Sequence, residues 1–303
     1  MLVHFRSRAL PCAALVLAAL QTSAATSHAC ATCACGDPTL TSMGAVVPFA
    51  DRVRAAISAH YRTDSVGRPG VDELHLREAR LELSMAYAPT AWFMASVSAP
   101  LLWRDVQYAS LARDRSAGLG DAELMMKFAV YRDRPFAAER TLALLAGARL
   151  PTAPVERNRS GASLPIEAQP GTGAWWGIVG ASYAQRSGEW SSYLSALAYL
   201  PTAGRAGLEP GFSLRSTLAA QYQPWTFAAF RIGFDARVDG RAFERGVRER
   251  DSGGFVGFVS PAVLWSPRAD WTLQGMVQVP VINALNGYHR EGTYFSLAFM
   301  LDL

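Results

Sequence analysis

Half of the 303 residues are hydrophobic and only 18% are charged, below the roughly 25% of an ordinary soluble globular chain. No stretch reaches the roughly 18 consecutive apolar residues of a membrane-crossing helix, which leaves a secreted all-β protein or a membrane barrel. The formal net charge of +4 at pH 7 is too small to argue for nucleic acid or anionic lipid as a partner.

Residues 1–29 read as a cleaved signal peptide. Arg6 and Arg8 give a basic start, Ala9–Leu20 is apolar, and Ser27 and Ala29 precede a cut before Cys30; a cut after Ala24 also fits. The apolar run is too short to span a bilayer, so it targets the chain for export and does not anchor it. Its removal takes away Arg6 and Arg8 and lowers the net charge to +2.

Residues 30–50 form a periplasmic segment holding Cys30, Cys33 and Cys35. Cys-x-x-Cys and Cys-x-Cys spacings let thiolates converge on one soft metal ion, copper or zinc. An oxidising periplasm equally favours a local disulfide, and lipid attachment at Cys30 is a third reading. The absence of a Cys-x-x-Cys-His run disfavours covalent haem. An outer-membrane protein that binds copper or zinc through these cysteines is therefore the alternative functional reading, and no other cofactor is indicated.

From Asp51 to Leu303 the chain breaks into twelve runs of about ten residues that alternate apolar with polar, the period and length of a strand that crosses a bilayer. The clearest are Val53–Tyr61, Ala79–Tyr87, Phe93–Leu101, Ala122–Val130, Leu142–Leu150, Phe212–Tyr222 and Ala228–Val238. Two weaker runs cover 174–184 and 190–200, and 255–265 and 271–282 precede the closing run. In Thr293–Leu303 the residues Phe295, Leu297, Phe299, Leu301 and Leu303 share one face, and Tyr294, Ser296, Ala298, Met300 and Asp302 share the other. A helical stripe of period 3.6 does not fit these patterns.

The joins alternate in length. Short ones fall at 88–90, 132–135, 185–189, 223–224 and 266–270, and longer ones at 64–75, 107–120, 151–173, 201–211, 239–254 and 283–292. Short periplasmic turns and long outer loops are the habit of outer-membrane barrels, and with twelve strands both barrel ends lie on the periplasmic side. Aromatic residues flank every short turn: Tyr87 and Trp92, Tyr131 and Phe136, Tyr183 and Trp190, Tyr222 and Trp225, Trp265 and Trp271. Such rings suit a membrane interface, because they join an apolar body to a polar tip.

Charge follows the same parity. The clear apolar faces carry no Asp, Glu, Lys or Arg, except Arg140 at a strand start, where it can reach the interface. The opposite faces carry Arg54, Arg62, Arg80, Lys127, Arg149, Arg215, Arg231 and Arg237 against Glu78, Glu82, Asp121, Glu123 and Asp235, eight basic and five acidic residues. A sandwich would bury its apolar faces and solvate these charges; a barrel shows its apolar faces to lipid and lines a wet lumen with the charges. The predicted fold is a transmembrane antiparallel up-and-down β-barrel spanning 51–303 in the bacterial outer membrane. The predicted channel-lining residues are Arg54, Arg80, Glu82, Asp121, Lys127, Arg149, Arg215, Arg231, Asp235 and Arg237.

The stretch Gly118-Leu-Gly-Asp-Ala-Glu-Leu-Met-Met-Lys-Phe resembles the outer-membrane transporter family whose label refers to the meta-pathway of phenol degradation. That family enters a strand through Gly-Leu-Gly-Asp with a basic residue several positions on, matched here by Asp121 and Lys127. Leu150-Pro-Thr, then Gln169-Pro-Gly-Thr-Gly, then a strand, a short turn and Trp190 also fit its pattern. The resemblance covers roughly residues 50–303 and implies passage of small molecules across the outer membrane with no catalytic residues. Two glycines suit a tight entry into a strand, and charge counting pairs Asp121 with an arginine of a neighbouring strand. The expected partners are outer-membrane lipids and a small solute, anionic or aromatic, with no nucleic acid; the chain could act as a monomer or a homo-oligomer.

Overall fold

The computed structural model describes residues 51–135, 138–158, 160–268 and 270–303. The proposed signal peptide, Cys30, Cys33, Cys35 and Phe136 lie outside the described residues. Twelve strands cross the barrel: β1 Arg52–Val66, β2 Leu74–Thr90, β3 Phe93–Tyr108, β4 Ala122–Arg132, β5 Arg140–Leu150 and β6 Trp176–Ser187 form the first half. The second half is β7 Trp190–Pro201, β8 Ser213–Trp225, β9 Ala228–Asp239, β10 Gly254–Arg268, β11 Trp271–Leu285 and β12 Tyr294–Asp302.

Each strand pairs antiparallel with its sequence neighbours, and β12 pairs with β1 from Arg54↔Asp302 to Tyr61↔Phe295, closing the sheet. The backbone of Leu303 adds two bonds to Val53, of 2.8 and 3.1 Å. Closure leaves no edge along this seam, the condition for a sheet to sit in hydrocarbon. The shortest of the strands in the first half, β4 and β5, have 11 residues. At about 3.3 Å per residue and a tilt near 40° they rise about 28 Å, enough for an apolar band of roughly 25 Å.

Parity decides the faces as expected. In β1, Arg54, Ser58, His60, Arg62 and Asp64 are buried inside while Ile57, Ala59 and Tyr61 are exposed outside. The outer surface is apolar around the wall, with Leu83, Met126, Leu144, Leu194, Leu218, Ile232, Val263 and Leu297 all exposed. Such a surface is stable only against lipid. Trp92, Tyr131, Trp190, Trp225, Trp265 and Trp271 are exposed at the short-turn end. Trp190 packs on Tyr222 at 4.8 Å and Trp271 on Phe299 at 5.8 Å between ring centroids. A second aromatic level, which the turns did not signal, includes Tyr61 and Trp103 toward the loop end.

The strands differ from the sequence reading in length: β1, β2 and β3 run 15, 17 and 16 residues, well past ten. The expected loop 107–120 is largely strand, because Arg113–Leu119 folds back on β3 from Leu101↔Leu119 to Gln107↔Arg113. Below it β3 changes partner and pairs with β4 from Phe93↔Phe128 to Ser98↔Glu123. The change falls at Pro100, which has no N–H to give the ladder; its carbonyl accepts from Gly120 N at 2.8 Å. A Cβ on Gly120 would sit 2.7 Å from Leu102 Cδ1 and 2.9 Å from Pro100 Cγ, so a larger residue here would push these side chains aside. Gly120–Asp121 is thus a bend between two strand segments, where an entry from a loop was expected. Among the described residues, Arg113–Leu119 has no ladder partner on its far side, since β5 pairs with β4 and β6 only.

Candidate solute pathway

The loop from Pro151 to Trp175 folds inward across the mouth. Its 3-10 turn, Ile166–Ala168, is the reason: Leu164 and Ala168 pack with Leu74, Leu76 and Val106 on the inner face of β2 and β3. Polar contacts hold both ends of the segment. Asp121 accepts from the backbone N–H of Ala153 at 3.1 Å and of Thr172 at 3.2 Å. Arg205 Nη2 donates to the Ala153 carbonyl at 2.6 Å, and Arg104 Nη1 donates to the Gln169 carbonyl. Gln169 itself bonds the backbone of Glu156 in both directions and the Leu164 carbonyl, each at 2.9 Å. A Cβ on Gly171 would run into the Asp121 carboxylate, so the close approach of the loop to the wall needs a glycine.

All ten residues predicted to line the channel lie on the inner parity of their strands or at a strand mouth, and their partners differ. Arg54 grips Asp302 with two bonds, 2.5 and 2.7 Å, across the β1–β12 seam. Arg80 pairs with Glu82, whose side chain is fully buried. Arg149 bonds Glu123 at 2.7 Å, and its guanidinium and that of Arg215 lie 5.3 and 4.2 Å from the Tyr199 ring. Arg237 pairs with Asp239 at 2.6 Å and with Glu291. Asp235 accepts from Thr217 at 2.6 Å, from Gln278 at 2.8 Å and from Ser260. Lys127 and Arg231 are buried on the same inner face. Asp121 departs from the charge-counting expectation: its hydrogen bonds are to loop backbone, not to an arginine.

Several residues that shape the lumen escaped the sequence reading, among them Asp64, Arg104, Asp239 and Glu291, which pair with residues it had placed inside. Glu78 accepts from Arg62 at 3.1 and 3.3 Å and from Arg104 at 2.6 Å, and Arg62 also lies 2.9 Å from Asp64. Extending the alternation of β3 beyond Leu101 would have found Arg104; the isolated Glu291 gave no signal at all. With Arg104 added to the inner cations and Asp64, Asp239, Glu291 and Asp302 to the inner anions, the excess of three positive charges disappears. His60 Nε2 and Ser58 Oγ lie 2.9 Å apart, and Ser260 donates to Asp235. Among the described residues no cluster of His, Cys, Asp or Glu could hold a metal ion.

Beneath the loop, a space open to solvent is lined by Glu78, Arg80, Pro100, Leu102, Arg104, Asp121, Arg149, Pro170, Gly171, Thr172 and Trp176. Three guanidinium groups face two carboxylates here, and Asp121 already accepts two backbone hydrogen bonds. Pro100, Leu102 and Trp176 make the apolar side. Trp176 is fixed by a 3.4 Å bond from its Nε1 to Thr172.

Two loop carboxyls, Glu167 and Glu249, are pushed well above the usual carboxylate range. Burial first, then the charges of Glu244, Glu249 and Asp114, pushes Glu167 up to about 7. Burial, with Glu244 and Asp251, likewise pushes Glu249 up to about 7.

No family model matches the sequence, and no curated protein is significantly similar to it. Solved structures do share the fold. The COG4313 outer membrane channel from Pseudomonas putida F1 superposes with a TM-score of 0.67 at 18% identity, covering 85% of this chain and 97% of that one. The translocator domain of the autotransporter NalP from Neisseria meningitidis gives 0.55 at 10% identity, covering 92% and 99%. At these identities the likeness is one of fold: this chain is a closed outer-membrane barrel.

Proposed function

We propose that the barrel is a channel passing small solutes, anionic or aromatic, across the outer membrane. The observation that carries this reading is the cavity beneath the inward-folded loop, where Arg80, Arg104 and Arg149 face a wall of Pro100, Leu102 and Trp176. An aromatic carboxylate suits both halves: its ring stacks against Trp176 and its carboxylate exchanges for Glu78 or Glu82 on a guanidinium, a bidentate match. The lumen as a whole is charge-balanced, so selectivity resides at this cavity and is weak. Paired charges also keep binding shallow enough for a solute to leave, which conduction requires.

The resemblance at Gly118–Asp121 and the barrel fold support the transport class, while the choice of solute rests on the cavity alone. Flux into liposomes holding the purified protein tests it, with benzoate compared against benzylamine. Benzoate is expected to pass faster, and Arg104→Gln together with Arg149→Gln to remove the difference. Equal rates for the two probes, or faster benzylamine, would overturn the reading.

A further inference from the structure

Among the described strand residues the outer surface is uncharged over most of the wall; apart from Arg140 at the short-turn end, outward charges gather in one patch. The register of β1, β2, β3 and the Arg113–Leu119 segment places Tyr61, Ala79, Trp103 and Ala117 in one outward-facing row. Tyr61 and Trp103 make this row the outer aromatic level, where the apolar band ends. The next outward row, two residues or about 7 Å further along the strands, is Thr63, Arg77, Asp105 and Arg115. The row above that is Ser65, His75, Gln107 and Arg113, with Arg290 opposite Ser65.

Arg77, Arg113, Arg115 and Arg290 are all exposed and lie on the membrane-facing parity. Their own acids answer them poorly. Asp105 is the one carboxylate in these rows, and it lies 3.7 Å from Arg115, whose side chain is 70% exposed. Arg113 bonds the neutral Gln107 at 2.9 Å, and Glu73 sits 3.5 Å from His75. Leu150, Leu200, Leu214 and Val238, outward residues near the ends of other strands, carry no charge. The net charge of the chain hides this asymmetry, because inside the barrel the charges cancel.

We propose that this patch docks the phosphate groups of the phosphorylated glycolipid of the outer leaflet, lipid A. Their place on the wall argues for a lipid over a soluble anion: the four arginines are exposed on the lipid-facing parity, one and two rows beyond Tyr61 and Trp103 along the same sheet. Arginine matches a phosphate with two parallel hydrogen bonds, and several basic residues at one bilayer level collect anionic headgroups. The long strands β1–β3 thereby acquire a role, since they carry these two charged rows beyond the row of Tyr61 and Trp103.

Titration of the purified full chain in detergent with bisphosphorylated lipid A, and with the same lipid stripped of both phosphates, tests the proposal. The phosphorylated lipid is expected to bind more tightly, and Arg77→Gln and Arg115→Gln each to weaken it by roughly fivefold. Arg245→Gln, which alters an exposed arginine in the loop between β9 and β10, serves as the control and is expected to bind as the parent does. Equal binding of the stripped lipid by the parent protein overturns the proposal without recourse to any variant. So does full binding by both Arg77→Gln and Arg115→Gln, or a loss in Arg245→Gln as large as theirs.

Discussion

Replacing Glu167 by Gln should make docking of the inward loop nearly independent of pH. Glu167 is 1% exposed, and neither carboxylate oxygen has a hydrogen-bond partner among the described residues. The groups around it are Tyr108 from β3, Asp114 from the segment folded on β3, and Glu244 and Glu249 from the loop after β9. None is a cation. Burial and these carboxylates raise its pKa from 4.5 to about 7, and each unit corresponds to about 1.4 kcal/mol, so the proton is worth about 3 kcal/mol to the docked loop.

The sign follows from the direction of the shift. A raised pKa means that the docked state holds its proton more tightly than the released state. The stabilisation is complete below about pH 4.5 and is lost as pH rises through about 7. Amide exchange of residues 160–170, corrected for intrinsic rates, should therefore show stronger protection at pH 5.5 than at pH 8.5. Glu167→Gln keeps the shape and removes the charge, so its protection should be flat apart from a residue due to Glu249. An unchanged pH slope in Glu167→Gln would refute the reasoning, as would stronger protection of the parent protein at pH 8.5.

Three further outcomes are expected. Glu78→Gln leaves Arg62 and Arg104 without their shared carboxylate; removing one partner of a buried pair costs about 3–5 kcal/mol. Asp64 and the Gln169 carbonyl keep the loss near the lower figure, measurable by urea unfolding from lipid vesicles, and the zero-current potential should move toward anion preference. Asp121→Ala strips the acceptor from two loop N–H groups, at about 1–3 kcal/mol for each group left unsatisfied, and should speed protease cleavage within 154–170. Leu83→Arg puts a charge on the lipid face and should destabilise the barrel by about 2–4 kcal/mol, whereas Arg77→Leu, at the top of the same strand face, should leave folding stability nearly unchanged.

Parity made the barrel legible. Phe295, Leu297 and Leu303 face lipid and Ser296, Ala298 and Asp302 face inward because side chains alternate along a strand, and that rule needs no neighbours to apply. The same rule assigned Arg54, Arg149 and Arg237 to the interior, and the breaks in the alternation marked the short turns, each flanked by aromatic residues. Pairing was not legible, because it depends on register between strands far apart in the chain. Arg54 meets Asp302 only once β12 closes on β1, and Arg237 meets Glu291 only once β11 returns. The loop was the largest gap. Leu164 and Ala168 form no periodic pattern, and only the inner faces of β2 and β3 give them an apolar surface to cover. Asp121 illustrates both levels: its sequence motif marked the position, and the fold turned its carboxylate from a partner for arginine into the anchor of the loop over the pathway. Alternation is local chemistry and is written in the chain; which charges cancel, and what lies across the mouth, is decided when the sheet closes.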